Sequence, residues 1–298
     1  MLLLITDSHD ATSDTIIHTW NKLGFQDFLR FNTDFYTSYD IELNPSGFSI
    51  TDPKKRTVSN SNITSMYWRK PWMEIAPPPQ SLEEFEQTQR KYLVREIINL
   101  CRNDGVYFLV EPYAEHRVGK VIQMTKAEQF FPVPEWKIAI GASVSSLNPP
   151  WVVKALYSQC VDKKAPTVTL WTGDKLSPNY QWFLQKEVNG DFDVTVVFVN
   201  GSLFAYRLKR VRMDWRAKID ESMNWEFFEP AKEFTDAVRN YMDTLNLKYG
   251  RLDFIHGKDG KMYFLEVNPN GQFAWLDLHD KDGLISFVAR NAIGDTSP

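Results

Sequence analysis

The chain has 298 residues, 43% of them hydrophobic and 24% charged, which is enough for two domains or one large one and excludes a disordered or fibrous protein. Its 34 Lys and Arg against 38 Asp and Glu leave a net charge of −4, so wholesale electrostatic binding to nucleic acid is not expected and any basic surface is local. Cys101 and Cys160 are the only thiols and form no CxxC pair, which excludes a disulfide framework and a thiolate zinc site and suits a reducing compartment.

In chain order, Leu2-Leu3-Leu4-Ile5 ahead of Thr6-Asp7 reads as a buried strand, without the basic region or apolar length of a signal peptide. No stretch reaches the roughly 20 apolar residues that span a bilayer, so a cytoplasmic protein with no membrane partner is expected. Ile16, Ile17, Trp20 and Leu23 then recur at helical spacing. Phe28 to Asn32 reads as a parallel strand, Ile41 to Ile50 around Asn44-Pro45-Ser46-Gly47 as a hairpin, and Ile63 to Trp68 as a further strand. The prolines between Lys70 and Gln80 predict an exposed connection. Ser81-Leu82-Glu83-Glu84 is a capping box that opens a helix to about Arg102. Val106 to Val110 returns as a strand, and Glu111-Pro112 marks a boundary, because proline disfavours helix in the residue before it.

Beyond that boundary Lys120 to Gln129 is helical. Trp151 to Leu156, Thr167 to Trp171, Trp182 to Val188, Phe192 to Val199 and Ser202 to Leu208 are strands, the last two joined by Asn200-Gly201, a strong two-residue hairpin signal. Helix returns from Glu229 to Leu245, before a last strand pair and a C-terminal helix.

The last strand pair carries the chemistry. If Asp259-Gly260 forms a two-residue turn, Lys258 faces Lys261 and Asp253 faces Glu266. Strand alternation then puts Arg251, Asp253, Glu266 and Asn268 on one face, with Leu252, Phe254, Leu265 and Val267 on the other. Facing carboxylates repel and call for a cation between them. Two carboxylates and an amide oxygen suit a hard ion such as Mg²⁺, which is commonly shared with substrate phosphates, so a nucleotide is the implied cosubstrate. The plain alternative is a solvated sheet face on which Arg251 supplies an ordinary ion pair.

Arg251-Leu252-Asp253-Phe254 and Phe264-Leu265-Glu266-Val267-Asn268-Pro269-Asn270-Gly271-Gln272 resemble the C-terminal signature of ATP-grasp enzymes. Among these, the Asn-Pro-Asn-Gly-Gln stretch and Asp214-Trp215-Arg216 most resemble the microviridin-type ligases that mature graspetides. The likeness is strongest from about Glu111 to Phe287. It implies an α/β protein with the ATP-grasp fold: an N-terminal α/β domain over 1–110, a central subdomain over 111–188 and a C-terminal antiparallel-sheet subdomain over 189–298 that bears the metal site.

The resemblance further implies ATP and Mg²⁺ as cofactors, with Asp253, Glu266 and Asn268 holding the metal. Lys120 and Lys154 would contact the nucleotide. Gln185, Lys186, Glu187 and Val188 would form the hinge that reads adenine, with Glu187 or Asp191 as the acid on the ribose. Asp193 stands where related sequences commonly carry Arg. Each lysine also has a bland reading, Lys120 on a solvated helix face and Lys154 as a snorkelling strand residue.

Arg207, Lys209, Arg210, Arg212, Arg216 and Lys218 crowd one segment against Asp214 alone, which calls for an anionic partner. The reading favours Arg216 at the transferred phosphoryl group, with Arg210 and Arg212 on substrate. The reaction implied is activation of Asp or Glu side chains of a ribosomal precursor as acyl phosphates, followed by ester or amide crosslinking. The partner would be an acidic precursor peptide with a leader segment, and a homodimer is among the assemblies expected. The competing readings are another ATP-grasp ligase for amino acids or peptides, of the RimK or glutathione-synthetase kind, and a noncatalytic ATP-binding or nucleic-acid-binding module.

Overall fold

The computed structural model describes residues 1–69, 81–145, 147–156, 168–173, 176–211, 213 and 224–295. The chain opens with β1 (Leu2–Thr6), α1 (Ala11–Lys22) and β2 (Phe28–Asn32), followed by a 3₁₀ turn over Thr33–Ser38. Then come β3 (Asp40–Asn44), β4 (Gly47–Thr51), β5 (Thr57–Ser59), β6 (Ser65–Trp68), α2 (Leu82–Asn103) and β7 (Tyr107–Phe108). A parallel sheet of order β2-β1-β6-β7 is the first layer, and β3-β4-β5 form a separate antiparallel sheet. The run Leu2-Leu3-Leu4-Ile5 of β1 is buried on both faces because helices cover both sides of its sheet. Asp10 caps α1 by accepting the Ser13 N–H at 3.2 Å, and Ser81 caps α2 by accepting the Glu84 N–H at 3.1 Å, as the capping box predicts.

The next group is α3 (Ala114–Arg117), α4 (Lys120–Ala127), β8 (Trp136–Ala139), α5 (Ala142–Ser145), β9 (Trp151–Ala155), β10 (Thr169–Trp171) and β11 (Trp182–Gln185). Its strands form an antiparallel sheet of order β10-β9-β11-β8. The last group is β12 (Gly190–Val199), β13 (Ser202–Lys209), β14 (Glu226–Phe228), α6 (Lys232–Thr244), β15 (Tyr249–Gly257), β16 (Met262–Asn268) and α7 (Leu284–Ala292), with a sheet of order β14-β13-β12-β15-β16. Asn200 (φ 48°) and Gly201 (φ 90°) turn β12 into β13 in the left-handed backbone that the Asn-Gly pair predicts.

Helices α4 and α6 cover one face of the five-stranded sheet around Phe131, whose ring lies 5.1 Å from Phe254 and 5.9 Å from Phe264. The C-terminal helix α7 does not join this core. Its buried residues Leu284, Val288 and Ala289 belong to the core of the N-terminal parallel sheet, and Trp20 of α1 donates its indole N–H to the Ala289 carbonyl at 2.8 Å.

The β15–β16 hairpin departs from the expected turn. Gly257 N–H donates to Lys261 O at 2.8 Å and Gly260, at φ 79°, donates to Gly257 O at 2.9 Å, so the loop is Lys258-Asp259-Gly260 and Lys258 does not face Lys261. The pairs nearest the turn, His256 with Met262 and Ile255 with Tyr263, are one residue out of the two-residue register. A β-bulge at Leu265 restores it, so that Asp253 pairs with Glu266 and Arg251 with Asn268 after all. The bulge also moves Leu265 off the core face: Phe264 and Val267 stay in the core, whereas Leu265 and Glu266 both line the cleft described next.

Candidate functional site

A cleft runs between the β8–β11 sheet and the five-stranded sheet. Val152, Val188, Val194, Ile255, Leu265 and Met213 give it apolar walls, and Lys154, Gln185, Glu187, Asp193, Arg210, Asp253 and Glu266 supply its polar groups. The segment from Lys186 to Asn189 joins β11 to β12 along one side of the cleft, tied by Lys186 N–H to Glu135 O at 2.8 Å and by Lys258 N–H to Asn189 O at 3.1 Å. A second, polar recess continues past it, lined by Glu187, Val188, Asp191, Arg210 and Lys258.

The acidic pair sits at the β15–β16 bulge, with side chains 23% and 22% exposed for Asp253 and Glu266, so both are held yet open to a ligand. Each Asp253 oxygen has a partner: Thr195 Oγ1 donates to Oδ1 at 2.8 Å and Arg251 Nη2 to Oδ2 at 3.1 Å. The Lys120 ammonium pairs with Glu266 Oε2. Helix α4 can deliver that lysine because Gln123, one turn on and buried, staples it to β16: Gln123 Oε1 accepts the Val267 N–H at 3.1 Å while its Nε2 donates to Val118 O at 2.8 Å. The solvated-face reading of Lys120 therefore fails.

Asn268 lies one alternation beyond Glu266, opposite Arg251, and its Oδ1 accepts the Asn270 N–H at 3.1 Å. Among the described residues no three or more His, Cys, Asp and Glu side chains are placed together so that they could hold a metal ion by themselves. The facing pair with an adjacent amide oxygen is thus an all-oxygen donor set of low charge, which fits Mg²⁺ better than a soft or borderline metal.

Lys154 projects from β9 into the cleft and donates to Gln185 Oε1 at 3.0 Å. Gln185 is 2% exposed and lines the cleft. Lys186 turns its ammonium the other way, 4.0 Å from the Trp151 ring centre and 3.2 Å from Pro150 O, so only its backbone serves the β11–β12 connection beside the cleft. Glu187 reaches both cavities, and Asp191 lies in the polar recess, where its carbonyl accepts the Arg210 N–H at 2.8 Å.

Asp193 is 3.6 Å from Arg210 Nη1, so a guanidinium does stand beside β12, supplied by the end of β13. Arg210 is therefore a wall of the cleft and of the polar recess, beside the β11–β12 connection. Arg212 and Arg216 lie outside the described residues. Arg207 is a packing residue: it stacks 5.2 Å from the Phe192 ring and pairs with Glu226 at 3.4 Å.

Two participants carry no signal in the local sequence. Thr195 meets Asp253 only because β12 pairs with β15. Arg69 follows β6, is fully buried, and donates from Nη1 to Asn270 Oδ1 at 2.8 Å across 201 residues of chain. Arg69 Nε also lies 3.5 Å from Asp10 Oδ2. Burial pushes the Asp10 carboxyl up, but the Arg69 charge and hydrogen bonds from Ser13 and Arg69 outweigh it and hold Asp10 below the usual carboxylate range.

No protein-family model matches the sequence, and no curated protein is significantly similar to it. Solved structures are. A macrocyclase, MdnC, from Microcystis aeruginosa, solved with a precursor peptide, superposes at TM-score 0.79 with 19% identity over 98% of this chain and 99% of that one. A RiPP-associated ATP-grasp ligase from Chryseobacterium gregarium, in complex with ADP and a leader and core peptide, superposes at 0.80 with 18% identity over 100% and 97%. The D-alanine–D-alanine ligase of Bacillus anthracis is more distant, at 0.57 with 15% identity over 99% and 96%. Shared over nearly the full length of each chain, this architecture establishes that the protein has the ATP-grasp ligase fold.

Proposed function

We propose that the protein is an ATP-dependent peptide ligase that crosslinks side chains of an acidic ribosomal precursor. The observation that carries this reading is the facing Asp253–Glu266 pair at the wall of a cleft that also holds Lys154, with Lys120 paired to Glu266, in the fold of ligases solved with ADP and with leader and core peptides. The apolar walls at Val152, Val188 and Leu265 suit a flat base, and backbone groups from Lys186 to Val188 would read its edge. Lys154 and Lys120 would meet phosphate oxygens. Bound between Asp253, Glu266 and Asn268, Mg²⁺ would neutralise those oxygens and orient the terminal phosphoryl group.

A precursor carboxylate oxygen attacks that phosphorus and ADP departs, leaving an acyl phosphate. An amine or hydroxyl of the same peptide then attacks the carbonyl and phosphate leaves with the carboxylate's former oxygen. No enzyme nucleophile is needed, so the work of the chain is positioning and charge neutralisation. Arg210, with Arg212 and Arg216 of the same basic segment, would bind substrate carboxylates and the transferred group.

Incubating the protein with ATP, Mg²⁺ and a candidate acidic precursor tests the reading. Each ring closure should appear as loss of one water in the peptide mass, with one ADP released. Unmodified peptide with ADP formed only on addition of free amino acids would point to an intermolecular ligase, and nucleotide binding without turnover to a noncatalytic module.

A further inference from the structure

We propose that Arg69, from the N-terminal sheet, is a positioning residue of the metal-binding loop, acting through Asn270. The inference rests on the Mg²⁺ reading above. Asn268 to Gly271 close a turn, with the Gly271 N–H donating to Asn268 O at 3.1 Å and Pro269 supplying a fixed φ. Within it the Asn270 N–H donates to Asn268 Oδ1, so the orientation of the Asn268 carboxamide depends on where the Asn270 backbone sits. Arg69 sets that place: its Nη1 lies 2.8 Å from Asn270 Oδ1 and 3.4 Å from both Asn270 O and Gly271 O.

Were Arg69 simply half of a buried ion pair, its best contact would be the carboxylate. Instead Asp10 is 3.5 Å from Nε, the carboxamide takes the shortest bond, and among the described residues the buried Nη2 and Asn270 Nδ2 have no hydrogen-bond partner. That orientation serves the loop rather than the pairing. The site of attachment also has a reason. Arg69 leaves the carboxyl end of β6, next to β1, where the strand order of the parallel sheet reverses, and the crevice at such a reversal is where open α/β sheets meet ligands.

The test is Mn²⁺ binding in the presence of ADP, read by electron paramagnetic resonance, beside ADP binding in chelator read by calorimetry. Partners behind a metal ligand are commonly worth ten- to a hundredfold in affinity. Arg69→Lys keeps the charge but loses the planar fork, and should weaken Mn²⁺ binding by about tenfold or more while metal-free ADP binding stays unchanged. Asn270→Ala, which leaves the buried ion pair intact, should do the same. Asn270→Asp retains the acceptor oxygen and should keep wild-type affinity. The Arg69→Lys, Asn270→Ala double variant should be no worse than either single one, because both cut one relay. A folded Asn270→Ala with normal Mn²⁺ affinity overturns the proposal, as does additivity in the double variant. A wild type that binds no Mn²⁺ with ADP overturns the metal reading itself, and the relay falls with it.

Discussion

Glu266 and Asp253 are cross-strand neighbours whose like charges repel, and the structure answers with cations and donors: Lys120 on one, Arg251 and Thr195 on the other. Glu266→Gln removes one charge at nearly constant shape. It should abolish ADP release in the presence of peptide while leaving the melting temperature near that of the wild type; a folded variant with normal ADP release would remove Glu266 from the metal site. Lys154 lines the cleft and donates to the neutral Gln185 carboxamide at 3.0 Å, which sets its ammonium where a phosphate oxygen would lie. Lys154→Ala should therefore weaken ATP binding, read by calorimetry, and leave peptide binding alone. Unchanged ATP affinity would return Lys154 to a snorkelling role.

At the scale of elements, the hairpin shows how much of the site a local reading could reach. The facing of Asp253 with Glu266 was legible, because alternation and a nearby turn constrain it. The route was not: a three-residue loop and a bulge at Leu265 offset each other, and a bulge leaves no mark in an alternating pattern when the extra residue is itself apolar. The Asn200-Gly201 hairpin is legible because only residues tolerant of positive φ fit a two-residue turn. Short strands β5, β8 and β14 escaped, since three or four residues carry too little periodicity.

Gly190 makes a further element testable. It opens β12 just after the β11–β12 connection, where a Cβ would lie 2.3 Å from Ile255 Cγ2 and 2.5 Å from the backbone oxygen of His256. Backbone cannot yield as a side-chain tip can, so Gly190→Ala should push β12 away from β15 and cost about 1–3 kcal/mol, the usual range for overpacking. The nucleotide affinity should fall with it, because Ile255 and Val188 wall the same cleft. Wild-type stability in a denaturant melt would show that the strands separate there at no cost.

Across the whole molecule, the contacts that join distant parts are those the sequence conceals. Helix α7, last in the chain, packs against the first helix, and the fully buried Arg69 reaches from Asp10 to Asn270. Nothing in the run Tyr67-Trp68-Arg69 distinguishes a buried arginine from an exposed one, because its partners are supplied by the fold. The ion pair has a pH signature whose sign follows from the depressed carboxyl of Asp10. A carboxylate with a lower pKa folded than unfolded contributes stability above its unfolded value, about 3.9 for Asp, and loses it as the pH falls through the folded value. Asp10→Asn leaves the Arg69 charge buried without its carboxylate, so at neutral pH the variant should be less stable by about 3–5 kcal/mol. As the pH falls from about 3.9 through the lower folded value of Asp10, the wild type progressively forfeits the same interaction, so the two melting temperatures should converge. Asp52 is also held low, by the hydrogen bonds and charge of Arg56 against its burial, but it titrates in both proteins and cancels in the difference. A gap in melting temperature that stays constant from neutral to acid pH would show that Asp10 serves as the cap of α1 and not as the counter-charge of Arg69.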